Sequence, residues 1–544
     1  MRKPLFCAVA AAAVLASQSY VPGPQVLTFF SAVDDSDQPY ALYLPQDYNP
    51  AKRYPLVISL HGAWSNHRLN LKRVFGKGNL PGESDLLATR YFQQFRNVQY
   101  IVASPYARGT IGYQGIGEKD VYDVLADVEK RFRIDEDRIY LTGLSMGGGG
   151  ALWLALTHPD IWAAVAPVCP AAPAGSEDLA PNLLNVPVHL FHGDQDPAVP
   201  VAVSREWQKR LLELGTHAEY IEYPGVKHNS WDNAYKDGAV FDWFAKFTRD
   251  RFPDRVRYVT RAYKYNRAYW VTIDGLTPGE LASIDARFTA RNRLEIITKN
   301  VRAFTLTLKG HPKYVSKRPL VVVLNGNRHT LRPGAEAAFD GEKPGKYSPP
   351  AGSKRPGAEG PVAEAVASAH IYVYGTEAAA PEQLRERREI AERAADWSTP
   401  QMKPLLANRV VADRDVTEDD IKTDNLVLFG TKETNSLIAG MAGRLPLELN
   451  PGAADYGLLF IAPVNGRYVL VNSGLPWWTG QEQFQRGPRY LRGAPYSVLS
   501  TFQDYVLFKG SLANIVAEGR FDNNWKVRAA DREKLAGSGA VVVK

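Results

Sequence analysis

Cysteine is almost missing from this 544-residue chain, which has only Cys7 and Cys169. Cys7 falls inside an N-terminal apolar stretch, so removal of that stretch leaves one thiol and excludes an intramolecular disulfide. A core of this size does without such staples even in an oxidising compartment. Cys169, set between Pro167 and Pro170, reads as a small buried apolar residue. Long apolar runs are equally scarce. After Leu5 to Ala16 there is no second one, and twelve residues are too few to cross a bilayer, so no transmembrane segment is expected. Dense basic blocks are absent too. The formal charge of +7 falls to +5 once Arg2 and Lys3 are set aside, leaving nucleic acid without a footprint. No internal repeat is visible, and no propeller-like region precedes the first strands.

What is present begins with Arg2 and Lys3, the apolar stretch, and then Ser17 and Gln18. This is the layout of a secretory signal peptide over residues 1–18, cleaved after Ala16 or one or two residues later, which predicts a secreted or periplasmic protein. From Val26 to about Phe252, extended apolar segments at 41–44, 56–60, 100–103, 139–142, 163–168, 188–191 and 218–223 alternate with helical periods. In DVYDVLADVEKRF, for example, Val121, Val124, Leu125, Val128 and Phe132 share one face. Such alternation predicts an α/β domain over 19–252, with a mostly parallel sheet covered by helices on both faces.

The texture changes after Arg251. Alternating Tyr, Val, Thr and Ile predict antiparallel strands and a β-sandwich-like module over 253–333. Five prolines among lysines, glutamates and glycines predict a loop or linker over 334–362. Residues 363–544 predict a mixed α/β module. They include a helix with Pro381 in its first turn, a strand at 425–431 and a hairpin turning at Asn465 and Gly466.

The chemistry centres on GLSMG, Gly143 to Gly147, between the strand-like IYLT and a helix opened by glycines. A sharp strand-to-helix turn presents a serine from strained backbone, so Ser145 is the candidate nucleophile. Serine needs a base and a carboxylate to orient that base. HGDQDPAVP places Asp194 and Asp196 at the end of one strand, and EYPGVKHNSW places His228 after the next. Loops at strand ends are where an open parallel sheet builds its site. Asp196 is the candidate acid and Asp194 a turn residue. His228 is the candidate base, with His189, His192 and His217 structural. The amides of Met146 and of Ala63, which follows the strand ending LVISLHG, are the candidate oxyanion donors, and His61 organises that loop. Trp64, Tyr106, Arg108 and Tyr113 are candidate substrate contacts. Asp120 reads as a helix N-cap, whereas Glu118 has no assigned role. Tyr263, Tyr265, Tyr269 and Trp270 of the sandwich read as core, with stacking on sugars as the alternative.

YLPQDYNPAKRYPLVISLHG, RIDEDRIYLTGLSMGGGG, HGDQDPAVP and YPGVKHNSW together resemble the exported α/β-hydrolases grouped with polyhydroxybutyrate-depolymerase-like and feruloyl-esterase-like enzymes and with prolyl-oligopeptidase-like catalytic domains. The resemblance covers about 26–252. It implies the α/β-hydrolase fold and a Ser145–His228–Asp196 triad working through an acyl-enzyme without metal or cofactor. The implied substrate is a small-molecule or polymer-linked extracellular ester, such as one on plant polysaccharide. A serine peptidase shares the same machinery, and an inactive hydrolase serving as a surface or glycan-binding protein is a third reading. The C-terminal modules carry no implied activity beyond a polysaccharide contact.

Overall fold

A computed structural model describes residues 20–484 and 486–544, so the expected signal peptide lies outside the described residues. The first domain is built on eight strands: β1 (Gly23–Ser31), β2 (Ser36–Leu44), β3 (Tyr54–Leu60), β4 (Ile101–Pro105), β5 (Ile134–Leu144), β6 (Ala164–Val168), β7 (Val188–Gly193) and β8 (Ala218–Tyr223). Their order in the sheet is β1-β2-β4-β3-β5-β6-β7-β8. β1 and β2 form an antiparallel edge, and β3 through β8 run parallel. Side-chain alternation divides β3 between two cores. Leu56, Ile58 and Leu60 meet Val121, Val124 and Val128 on one face, while Val57 meets Leu71, Phe241 and Phe244 on the other. Burial on both faces is why these strands read as continuous apolar runs.

Two five-stranded sheets follow, one of 267–268, 271–275, 303–306, 337–340 and 343–344, the other of 327–331, 320–324, 293–299, 282–290 and 255–260. Their inner faces share a core that includes Trp270, Ile273, Phe304 and Phe339 against Tyr258, Ile284, Ile296 and Val322. One pairing, 293–299 with 320–324, is parallel rather than antiparallel. The linker expected at 334–362 is corrected by these sheets. Its first part supplies the strands Ala337–Asp340 and Lys343–Pro344, and its second part buries Lys354, Ala358 and Val362 against the C-terminal module.

That module carries a seven-stranded sheet in which 409–412, 370–374, 425–429 and 467–474 run parallel and 456–464, 505–509 and 515–519 complete it antiparallel. The hairpin 456–474 turns at Asn465 (φ 53°) and Gly466 (φ 82°), the positive pair a tight primed turn requires. Among the described residues no helix is long and apolar enough to cross a membrane.

Candidate active site

β5 ends at Leu144, and the helix Met146–Thr157 begins two residues later. Between them Ser145 is held at φ 56°, ψ −117°, a conformation that side chains avoid and that lifts its Oγ out of the turn. The glycines make this approach feasible. A Cβ on Gly147 would lie 2.2 Å from Leu60 O, and one on Gly150 would lie 2.5 Å from the Tyr113 ring.

Loops after β7 and β8 bring the other two groups to the same edge. His228 Nε2 lies 2.9 Å from Ser145 Oγ, and Nδ1 lies 2.7 Å from Asp196 Oδ2. The Asp196 side chain is fully buried, whereas that of His228 is 26% exposed. Burial alone would raise the Asp196 carboxyl. Hydrogen bonds from His228 and from the Val199 and Ala198 amides outweigh it and hold the group below the ordinary carboxylate range. Asp194 accepts instead from the Gly225 amide at 2.7 Å, tying one loop to the other.

Sequence reasoning missed two supports. His192, buried at the end of β7, places Nε2 3.2 Å from Asp196 Oδ2 and 3.0 Å from Val199 O, while its Nδ1 faces Ser204 Oγ at 2.7 Å. Trp231 stands edge-on to the His228 ring at 5.5 Å and takes the Arg73 guanidinium on its face. HGDQD contains a signal for the first, since His192 and Asp196 are four residues apart, but the second arises from packing between separate loops.

The amide of Met146 follows the serine in the chain, whereas that of Ala63 comes from the loop after β3, whose Gly62 approaches so closely that a Cβ there would lie 2.8 Å from Leu144 Cδ1 and 3.5 Å from Ser145 Cβ. Neither amide is used in a turn or loop hydrogen bond among the described residues. His61 is fully buried between Gly62 O (2.8 Å) and Tyr106 O (2.9 Å), and burial pushes its pKa down.

The four candidate substrate contacts separate sharply. Trp64 is 61% exposed, with its amide donating to Thr110 Oγ1. Tyr106 is half-buried. Tyr113 offers only its ring, because its hydroxyl donates to His61 O at 3.0 Å. Arg108 is a correction: it is completely buried, paired with Asp34 and Asp120 at 2.7 Å each, so it cannot reach a substrate. Asp120 is likewise no N-cap but lies within the helix Ile116–Arg131 as the partner of Arg108. Glu118 accepts from Tyr265 Oη at 2.6 Å at the junction with the sandwich. Trp270 and Tyr263 are buried, and Tyr269 Oη donates to Pro159 O, so the sandwich aromatics serve core and interface rather than a sugar platform.

The ligand-type atoms of Cys169, Asp196 and His228 lie within 4.8 Å of one another. Burial pushes the Cys169 thiol up to about 12, however, and the other two groups already bond each other, so these residues suit proton transfer better than a metal ion.

An eight-stranded sheet of this order, with the elbow at its centre and the acid and base loops at its carboxyl edge, defines the α/β-hydrolase class. Residues 38–171 match the family described as Esterase PHB depolymerase, and residues 119–241 match Phospholipase/Carboxylesterase. This part of the chain is thus similar to α/β-hydrolase esterases. Cutinase 1 from Thermobifida cellulosilytica is 34% identical over 100 residues, 18% of this chain and 36% of that protein. Bis(hydroxyethyl) terephthalate hydrolase from Streptomyces coelicolor is 30% identical over 122 residues, 22% of this chain and 38% of that protein. The chain spans between a fifth and two fifths of the length of the curated relatives it matches. Among solved structures, a thermostable esterase is 26% identical with a TM-score of 0.33, over 42% of this chain and 63% of that one.

Proposed function

We propose that this protein is an exported serine hydrolase that cleaves carboxylic esters through an acyl-enzyme. The hydrogen-bonded series Ser145 Oγ, His228 Nε2, His228 Nδ1, Asp196 Oδ2, with separations of 2.9 and 2.7 Å, is the observation that carries the reading. His228 takes the serine proton as Oγ attacks the ester carbonyl, and Asp196 stabilises the imidazolium that forms. The Met146 and Ala63 amides receive the negative charge on the carbonyl oxygen. Collapse expels the alcohol with a proton from His228, and water, activated by the same imidazole, releases the acid. The N-terminal Arg2, Lys3 and apolar stretch support export, and the substrate class is then an extracellular ester, free or attached to a polymer such as plant polysaccharide.

Purified protein is expected to be labelled covalently by a fluorophosphonate, with labelling lost in Ser145→Ala. It is expected to turn over p-nitrophenyl acetate and methyl ferulate but not aminoacyl-proline amides. Turnover of the amides alone would assign a peptidase, and no labelling of the wild type would assign an inactive hydrolase.

A further inference from the structure

Beside the helix that follows the nucleophile lies a cavity of about 50 Å³ whose walls come from two distant stretches of the chain. The catalytic domain contributes Met146 and Trp153, and the C-terminal module contributes Tyr490 and Tyr496. The contact is close: a Cβ on Gly112 would lie 2.8 Å from Tyr490 Oη, and one on Gly115 3.5 Å from Tyr496 Oη. The inner wall is attached to the nucleophile itself. Met146 follows Ser145, and the lining residue Ala171 donates its amide to Ser145 O at 3.0 Å.

Tyr496 is fixed by stacking on Trp397 at 3.8 Å, which anchors this segment to the core of its own module. The Tyr490 ring packs against both that core and the core of the catalytic domain. Its hydroxyl forms no hydrogen bond with a protein group among the described residues. Tyr490 is half-buried and its oxygen is not sealed from solvent, so water or a bound molecule can take that hydrogen bond.

We propose that residues 488–500 form the specificity wall of the substrate pocket, with the Tyr490 hydroxyl hydrogen-bonding a polar group at the far end of a short acyl chain. The inference rests on the ester-hydrolase reading above. It makes the C-terminal module part of the substrate site although it lies more than 250 residues beyond the triad in the chain.

The test uses the full-length protein and two variants, Tyr490→Phe and Tyr490→Ala, each labelled with a fluorophosphonate and assayed for kcat/KM. Removing only the hydroxyl is expected to lower kcat/KM for methyl 3-(4-hydroxyphenyl)propanoate about tenfold, with methyl 3-phenylpropanoate changed less than about twofold. Removing the ring is expected to raise the octanoate-to-acetate ratio for p-nitrophenyl esters about tenfold. Both variants still become labelled at Ser145, which shows that the nucleophile is intact, because Tyr490 touches none of Ser145, His228 and Asp196. Variants that label normally and keep both substrate ratios within about twofold of wild type would overturn the wall while leaving the hydrolase reading intact. A wild type that does not label fails on the earlier reading instead. If Tyr490→Ala does not fold, the hydroxyl pair measured on Tyr490→Phe decides alone.

Discussion

Asp196 is fully buried and holds its charge through four neighbours: His228, His192 and the amides of Ala198 and Val199. Its asparagine analogue keeps the shape but presents the wrong partner to His228 Nδ1. Asp196→Asn is thus expected to lower kcat on p-nitrophenyl acetate about 10⁴-fold with little change in thermal midpoint. A loss of only a few-fold would remove Asp196 from the triad. Arg108 makes the opposite case, a charged residue whose work is structural. It binds Asp34, Asp120 and Ser31 in a site without solvent and also reaches Leu405 O of the C-terminal module. Arg108→Met leaves two carboxylates buried without their cation, and is expected to destabilise the fold by about 3–5 kcal/mol in guanidinium unfolding. The grouping of Ser145, His228 and Asp196 was legible because these residues sit in short motifs with a fixed chain order. The burial of Arg108 was not, since Asp34 and Leu405 lie 74 and 297 residues away from it.

At the scale of elements, the elbow depends on a helix lying almost in contact with the strand beside it. The Leu60 and His61 carbonyls fill the space that a Gly147 side chain would need. Gly147→Ala must therefore push the helix Met146–Thr157 away from β3, carrying the Met146 amide with it. The expected result is a fall in kcat of at least about tenfold on a protein that still folds, as judged by circular dichroism. Wild-type kcat in that variant would mean that the amide's position does not matter. The same local chemistry explains which elements could be read from sequence. β3 to β8 are apolar runs between turn signals, and the hairpin at Asn465-Gly466 carries its turn residues. β1 was missed because it is an edge strand whose residues 24–27 are all half-buried in succession, so no clean period of two marks it. The proline-rich stretch 334–362 was misread for another reason. Composition reports how each residue meets water, but the buried Lys354 is neutralised by Asp504 at 2.5 Å, a partner 150 residues on.

For the whole molecule, the three modules meet at a cluster of buried charges. Glu359 is enclosed between the sandwich and the C-terminal module, where its carboxylate accepts from the Tyr263 and Lys264 amides and its own amide donates to Tyr468 Oη. Burial pushes its carboxyl up to about 7 against an ordinary 4.5, and these hydrogen bonds offset only part of that rise. A carboxyl whose folded pKa is raised binds its proton more tightly in the native state. Its stabilising contribution is complete below about 4.5 and is lost as pH rises through about 7. Glu359→Gln has no such proton to lose. Relative to wild type, its unfolding free energy is expected to gain on the order of 3 kcal/mol between pH 4.5 and pH 8, measured by denaturant titration at both. An unchanged difference across that range would show that Glu359 is not enclosed in this way.

The sequence by itself determined the parallel sheet, the elbow at Ser145, the succession of Asp196 and His228 after neighbouring strands, and the sandwich-like texture beyond Arg251. These are local properties, since hydrophobic period and turn chemistry act over a few residues and need no knowledge of distant chain. Only the tertiary structure decided that Arg108 is a buried clamp, that the sandwich aromatics form core and interface, and that Tyr490 stands beside a pocket opened by Met146. Each of those outcomes depends on contacts between segments tens to hundreds of residues apart. Burial and charge pairing at such contacts are set by packing of whole modules, which no local pattern records.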